Sequence, residues 1–334
     1  MLEQTEVRVF VGGQAAFRRI KKVIRKAKTS IAIQTFIWKE DETGTAIAKL
    51  LSEAADRGVH VTVSKEAVGD FFEVSGAFID TKFSGKPEWK AFWSHPRITV
   101  VADSHRDHAK TFVIDGSTVL LGGMNIADEY SHEWHDFLIE IRGHKFAEQV
   151  LTRVQEHIGE NEEVQMVMNG PGGNFIRPTI QKILSAAKKY VLIEHCYFTD
   201  QHVLDQVAEL THRGVDVIIV IPGVQGFLNY SASRVAMEKL EKKADGGHLH
   251  LFSFPRAFHS KVLLVDGVFC LIGSANLNVL SLDQSGEACV LLSGKSKALG
   301  TIESALVKDI LHSDPIASVE KPQLITRIKA MVGL

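Results

Sequence analysis

A chain of 334 residues with 45% hydrophobic content carries enough apolar material for a large core and about two domain-sized units, which excludes a disordered or fibrous class. Its formal net charge of −2 supplies no global pull toward nucleic acid, although a local basic groove is compatible with that balance. The three cysteines, Cys196, Cys270 and Cys289, lie in apolar, strand-like runs without a repeated spacing, so they are expected as buried thiols rather than as disulfides or metal ligands.

Taken in order, the first residues, Met1-Leu2-Glu3-Gln4, show no basic segment leading into an apolar one, and cytoplasmic residence is the expectation. No apolar run reaches the roughly 18 to 20 residues of a spanning helix. Even Val215 to Ile221 is interrupted by Asp216 and stopped at Pro222, so any membrane contact is expected to be peripheral. Ala27 to Ile33 reads as a helix end running into a buried strand. Arg57-Gly58-Val59-His60-Val61 then reads as a glycine that ends a periodic helix, followed by a β-branched run that opens the next strand. An aromatic stretch follows, with Phe71, Phe72, Phe78, Phe83, Trp89, Phe92 and Trp93. It fits either an interfacial lid facing lipid or helices packed on the core. The segment from Gly159 to Asn174, rich in glycine and acidic residues, reads as a connection holding a short strand, Val164 to Met168. Beyond it the pattern starts again. Ala187 to Ile193 corresponds to Ala27 to Ile33, and Arg213-Gly214-Val215-Asp216-Val217 to Arg57 to Val61. The offset between halves falls from 160 to 156, which places four extra residues in the first half around Lys39 to Thr45. Past Ser293 the chain turns polar and helical, and Ile325, Ile328, Met331 and Val332 form an apolar stripe expected to dock on the core.

The internal repeat carries chemistry. His108, Lys110, Asp115, Gly123, Asn125 and Asp136 align at a constant offset of 151 with His259, Lys261, Asp266, Ser274, Asn276 and Glu287. A histidine two residues before a lysine on a strand places both side chains on one face. Two such faces brought together across a pseudo-twofold axis surround one anion with two imidazoles and two ammonium groups, and phosphate is the expected anion. Cleavage of a phosphodiester through a covalent intermediate needs a nucleophile and an acid for the departing oxygen, and histidine serves in either role. Asp136 and Glu287 are suited to hold the second ring nitrogen of a histidine. Lys110 and Lys261 would supply charge, and Asn125, Asn276 and Ser274 neutral donors to the non-bridging oxygens. Asp115 and Asp266 each precede a glycine at a strand end, which fits a turn-making role and an ion pair behind the site equally well. The unpaired histidines, His105, His132, His135, His144 and His212, are read as surface or structural. His195 stands where the first half has Thr35, and its role stays open. The scheme requires no metal and no cofactor.

These residues resemble the signature of the phospholipase D superfamily, His-x-Lys-x4-Asp followed by a Gly-Ser/Gly-x-Asn turn. It stands here as His108-Ala109-Lys110 to Asp115 with Gly122-Gly123-Met124-Asn125, and as His259-Ser260-Lys261 to Asp266 with Gly273-Ser274-Ala275-Asn276. Arg106-Asp107-His108, Asn125 to Tyr130, Trp134-His135-Asp136 and Cys196-Tyr197-Phe198 are similar to stretches in bacterial cardiolipin synthases. The resemblance implies an α/β fold, a pseudo-twofold duplication of a mixed sheet flanked by helices, with halves at 1–158 and 159–334, the second including the C-terminal helix, sharing one active site. It also implies a phosphohistidine intermediate and transfer of a phosphatidyl group to an alcohol or water, with His108 as nucleophile and His259 as general acid by carry-over. The symmetry of the motif leaves that order open. Expected partners are a phospholipid substrate and peripheral membrane, on the inner face; a metal-independent nuclease is the rival reading, and no oligomer is needed to complete the site. Two features depart from the pattern. No stretch like the N-terminal membrane-spanning helices of many such synthases is read in these 334 residues, so membrane integration is not expected, and Ser64-Lys65-Glu66-Ala67 stands where an Asp-Gly turn after the strand is usual.

Overall fold

The computed structural model describes residues 5–66, 87–103, 106–155, 163–223 and 228–316. The first half builds β1 (Val7–Val11), α1 (Gly13–Lys26), β2 (Ser30–Thr35), α2 (Glu42–Asp56), β3 (His60–Glu66), α3 (Pro87–Ser94), β4 (Ile98–Asp103), β5 (Thr111–Ile114), β6 (Thr118–Gly122), β7 (Phe137–Arg142) and α4 (His144–Thr152). The second builds β8 (Val164–Gly170), β9 (Gly173–Asn174), α5 (Ile176–Ser185), β10 (Tyr190–His195), α6 (Gln201–His212), β11 (Asp216–Pro222), α7 (Leu228–Lys243), β12 (Leu249–Phe254), β13 (Lys261–Val265), β14 (Phe269–Gly273), β15 (Glu287–Ser293), α8 (Lys297–His312) and β16 (Asp314–Pro315). One π-helical turn precedes the last long strand of each half, at Glu129–Glu133 and Leu280–Gln284.

Among the described residues the first sheet runs β1-β7-β6-β5-β2-β3-β4, and the second β16-β12-β11-β10-β13-β14-β15-β8-β9. Read from opposite ends the seven strands of the first sheet match the seven inner strands of the second, with β8 on β15 as β1 is on β7, and the two-residue strands β9 and β16 are added at the second sheet's ends. Both sheets are mixed: β2 with β3 and β10 with β11 are parallel, while β2 with β5 and β10 with β13 are antiparallel. Each half therefore has the expected α/β architecture. Alternation along the strands sorts the apolar residues onto two faces. Val113, Phe137 and Ile139 of the first sheet and Leu192, Val262 and Val290 of the second enter one shared core, so the sheets pack face to face. The opposite residues, such as Phe112, Ile114 and Leu138, pack under α1 and α2, and Val191, Ile193 and Leu263 under α5 and α6. Strands covered on both faces read as near-continuous apolar runs, as these do.

α1 turns Ala16, Phe17, Ile20, Val23 and Ile24 to the core at helical spacing. α2 and α6 begin at matched caps, where Asp41 accepts from the Gly44 N–H at 2.8 Å and Asp200 from the Val203 N–H at 3.1 Å. The four extra residues of the first half lie mostly in the helix rather than in the loop: α2 has 15 residues against 12 in α6. Ser64 to Glu66 also differ from the expected altered turn, since they continue β3 in register with β4. The aromatic stretch divides. Trp89 and Phe92 are buried against Trp38, with ring centroids 5.5 and 5.2 Å away, so for these two the core reading holds and the lid reading does not. Phe71, Phe72, Phe78, Phe83, Ala67, His105 and the stripe from Ile325 to Val332 lie outside the described residues. Cys196, Cys270 and Cys289 are free and buried.

Candidate active site

Each histidine enters the site on an extended segment just ahead of a strand, rather than on the strand itself as expected. Backbone pairing across the two halves sets its place. The His108 N–H donates to the Gly286 carbonyl at 2.8 Å, and the His259 N–H to the His135 carbonyl at 2.9 Å. Each bridge delivers a histidine to the residue that follows its backbone partner. His108 Nδ1 lies 2.9 Å from Glu287 Oε1, and His259 Nδ1 lies 3.6 Å from Asp136 Oδ2. The carboxylates are thus exchanged: each histidine faces the carboxylate of the other half, Glu287 within hydrogen-bond distance and Asp136 beyond it.

The two sides are not equivalent, and position 123/274 is the cause. Ser274 Oγ donates to Glu287 Oε2 and accepts from the Ala288 N–H at 3.0 Å. Gly123 has no hydroxyl to offer, and Asp136 Oδ2 has no hydrogen-bond partner. A Cβ at Gly123 would meet Asp136 Oδ2 at 2.5 Å and the His259 carbonyl at 2.8 Å, so the close approach of the halves demands glycine there. The charges follow. Burial alone would raise Glu287, but His108, Lys110 and Ser274 hold it below the ordinary carboxylate value. Burial pushes Asp136 up to about 7, against the opposing charges of Lys261, His135 and Lys110.

Since an ionised carboxylate only accepts, Glu287 fixes the proton of His108 on Nδ1 and leaves Nε2 with its lone pair. His259 Nδ1 has mixed company: the Gly123 carbonyl at 3.0 Å and Lys261 Nζ at 2.9 Å. Its proton is not held by a single partner. Burial, then the charge of Lys110, lowers the pKa of His108; burial, then Lys261 and Lys110, sets His259 well below the ordinary imidazole value.

Both lysines reach back to the carbonyl of their own histidine. Lys110 Nζ also stands 5.3 Å from the Phe36 ring centroid, and Lys261 Nζ donates to Cys196 Sγ at 3.0 Å. Phe36 and Cys196 occupy matching places after β2 and β10, a correspondence readable from the strand offset but not given a role from sequence. Burial pulls Lys110 down to about 7. An entering anion would stabilise its charged form. Sulfate binding at pH 8 is therefore expected to take up protons, seen as a binding heat that varies with the ionisation enthalpy of the buffer and loses that variation in Lys110→Met; identical heats in all buffers for the native chain would contradict it.

Ser274 directs its one hydroxyl proton to Glu287 rather than to an anion, and Asn125 is engaged through its carbonyl and one of its two amide protons. The Asn125 amide accepts from the Ile37 N–H at 3.0 Å and donates to the Tyr130 hydroxyl at 2.9 Å, so it ties the β2 loop to the wall of the site. Asn276 Oδ1 accepts from Cys196 Sγ at 3.2 Å. Aromatic rings complete the walls: Trp134 stacks on His259 at 5.9 Å, Tyr130 meets it edge-on at 5.2 Å, and Phe36 meets His108 edge-on at 4.9 Å. His195, buried on β10 opposite Lys261, is also set well below the ordinary imidazole value by burial and then Lys261.

Asp115 and Asp266 stand at hairpin turns at the far ends of β5 and β13, of the two readings the turn-making one. Each has positive φ, +51° and +54°, followed by a glycine of positive φ, and the Ser117 N–H closes the first turn onto the Ile114 carbonyl at 3.1 Å. Such paired positive φ values match the right-handed twist of a hairpin, which is why Asp-Gly stands there. The Asp115 carboxylate accepts from the backbone N–H groups of Lys28, Thr29 and Ser30, and Asp266 from those of Lys188, Lys189 and Tyr190. Asp115→Ala is expected to lower unfolding free energy in urea by about 1–3 kcal/mol while kcat stays within about twofold; a large loss of kcat in the folded variant would place this residue in the chemistry instead.

Residues 20–158 and 180–309 match the model of the family described as "Cardiolipin synthase, PLD-like domain". A cardiolipin synthase of Halalkalibacterium halodurans is 27% identical, over 93% of this chain and 67% of that protein. One of Listeria innocua is 26% identical, over 94% and 70%. Among solved structures, a phosphatidylserine synthase of Haemophilus influenzae superposes with a TM-score of 0.74 at 19% identity, covering 97% of this chain and 94% of that one. A polyphosphate kinase of Porphyromonas gingivalis gives 0.63 at 13% identity, over 98% and 53%. At such identities the structural likeness speaks to the fold alone.

Proposed function

Because the chain belongs to the phospholipase D-like family described as "Cardiolipin synthase, PLD-like domain", we propose that it transfers phosphatidyl groups of glycerophospholipids to an alcohol or to water through a phosphohistidine. The exchange of carboxylates, Glu287 behind His108 and Asp136 behind His259, is the observation that carries this reading. It gives one site two imidazoles with different proton arrangements, as a two-step displacement requires. The cardiolipin synthase relatives and the phosphatidylserine synthase fold favour a phospholipid as substrate.

In the proposed reaction, His108 Nε2 forms a bond to phosphorus while the bond from phosphorus to the departing alcohol oxygen breaks. His259 gives that oxygen its proton. The positive charge that forms on the phosphorylated ring is offset by Glu287 through Nδ1–H. An incoming hydroxyl then gives its proton to His259 as its oxygen attacks phosphorus, and the bond to His108 breaks. Lys110 and Lys261 offset the charge on the non-bridging oxygens. The halves 1–158 and 159–334 would share this one site, so a single chain suffices.

No helix among the described residues is long and apolar enough to cross a membrane. We place the protein at the inner membrane face as a peripheral enzyme, where a phospholipid substrate is available. The rival nuclease uses the same motif chemistry but gains nothing from a net charge of −2. Product analysis with phosphatidylglycerol, phosphatidylcholine and single-stranded DNA tests the choice, with a His108→Ala/His259→Ala chain as control. New phospholipid or phosphatidic acid is expected from the native chain alone, and turnover of DNA without turnover of lipid would overturn the reading.

A further inference from the structure

Outside the two motifs, His135, Glu194 and Asp309 converge from three elements: the segment before β7, the strand β10 and the helix α8. His135 Nε2 lies 3.0 Å from Asp309 Oδ2 and 3.6 Å from Glu194 Oε1, and one ligand atom from each residue falls within 4.8 Å of the others. Glu194 is 1% exposed, and neither of its carboxylate oxygens has a hydrogen-bond partner. The neighbouring Ser260 hydroxyl is close enough to act on the Glu194 carboxyl against its burial, but its hydrogen bond runs to the His135 carbonyl at 3.3 Å. Two buried carboxyl groups thus converge on one ring nitrogen, which can carry a single proton. Leaving such oxygens without a donor is costly in a protein interior. Against burial, Asp309 and Glu194 raise His135 above the ordinary imidazole value, so the ring proton is the positive charge between the two carboxyl groups, and a bound cation would take its place.

The geometry points to a site for a divalent transition metal of the zinc class, held by His135 Nε2, Glu194 and Asp309. Zinc binds imidazole nitrogen at about 2.0–2.1 Å and carboxylate oxygen at about 2.0–2.2 Å, which sets neighbouring ligand atoms about 3.0–3.6 Å apart. The His135 contacts have that spacing. An imidazole with two carboxylates suits zinc and its neighbours in the first transition row better than magnesium or calcium, which prefer oxygen alone. The surroundings are apolar: His135 packs edge-on against Phe137 at 5.2 Å and lies tilted over Phe254 at 5.7 Å.

The ion would join the halves, since His135 belongs to the first and Glu194 and Asp309 to the second. It would act on the active site through position only. The His135 carbonyl receives the His259 N–H, and the next residue, Asp136, faces the His259 ring. Fixing His135 therefore fixes the backbone that presents the second histidine.

The test uses the whole chain, stripped with a chelator, passed through a desalting column and titrated with zinc chloride. One zinc per chain is expected by metal analysis, with a rise in Tm, and cobalt in its place is expected to give visible d–d absorption. Glu194→Gln and Asp309→Asn, each verified as folded by circular dichroism, are expected to weaken zinc binding by about 10–100-fold or more and to lose the Tm response. Should Glu194→Gln fail to fold, Asp309→Asn, at the less deeply buried of the two carboxyl groups, decides the question. A native chain that takes up no stoichiometric zinc overturns the proposal, as does a folded variant that binds zinc as tightly as the native chain. An apo chain that Glu194→Gln stabilises, with zinc binding absent throughout, would identify an imidazole sharing its proton between two carboxyl groups and no metal site.

Discussion

His108→Ala is expected to abolish phosphatidyl transfer, by about 10⁴-fold or more in kcat, and with it any covalent intermediate on the protein. The structure offers a physical reason to separate the two histidines. Glu287, held ionised by Ser274 and its neighbours, pins the Nδ1 proton of His108 and leaves Nε2 as a nucleophile. His259 has Nδ1 between a carbonyl acceptor and the Lys261 ammonium, with Asp136 further off, so no partner pins its proton, and a bound phosphate anion would offset the burial and lysine charges that lower its pKa. Removing the acid should matter least where the departing group needs no proton. On a phosphatidyl ester with a p-nitrophenolate leaving group, His259→Ala is expected to recover about 10²-fold relative to its activity on a natural lipid, the size of a general-acid contribution. It should also accumulate the phosphatidyl-protein adduct, visible by intact mass after an alkaline quench. His108→Ala should show neither. The opposite pattern, adduct in His108→Ala and none in His259→Ala, would exchange the two roles.

The sequence made the duplication legible because each half repeats the same polar positions between the same buried strands, and the matching strand orders follow from that. It could not show which carboxylate serves which histidine. Spacings of 28 residues in both halves are the same whether each half is self-contained or exchanges its carboxylate, and only the bridges from His108 to Gly286 and from His259 to His135 decide the matter. Gly123 against Ser274 was visible as a difference in an otherwise paired motif. Its consequence, a hydroxyl on one carboxylate and none on the other, depends on a backbone approach that spacing does not reveal. Asp115 and Asp266 carry the opposite lesson. Their place within the motif suggested chemistry, yet the Asp-Gly pair already encoded a hairpin turn, and three backbone N–H groups account for each carboxylate. The signal was present twice over, once as motif and once as turn, and the local physics was the better guide.

If the exchanged carboxylates differ as their surroundings require, the conservative amide substitutions should differ too. Glu287→Gln is expected to lower kcat by about 10²–10⁴-fold, the range for losing the charge behind a catalytic histidine, with little change in KM. The amide can keep the size of the side chain and a hydrogen bond to Ser274. It cannot offset the positive charge that forms on the His108 ring as its Nε2 bonds to phosphorus, nor does it dictate which ring nitrogen carries the proton. Asp136→Asn is expected to cost less, about tenfold, because burial has already pushed Asp136 up to about 7 and it stands 3.6 Å from the ring it faces. The pH profiles should separate in the same way. Loss of activity on the acid side through Glu287 lies below the ordinary carboxylate value of 4.5, since its pKa is lowered, whereas protonation of Asp136 falls near neutrality and disappears from the profile in Asp136→Asn. Equal losses in the two amide variants, or a Glu287→Gln chain with near-native kcat, would mean that the asymmetry created by Ser274 and Gly123 plays no part in the reaction.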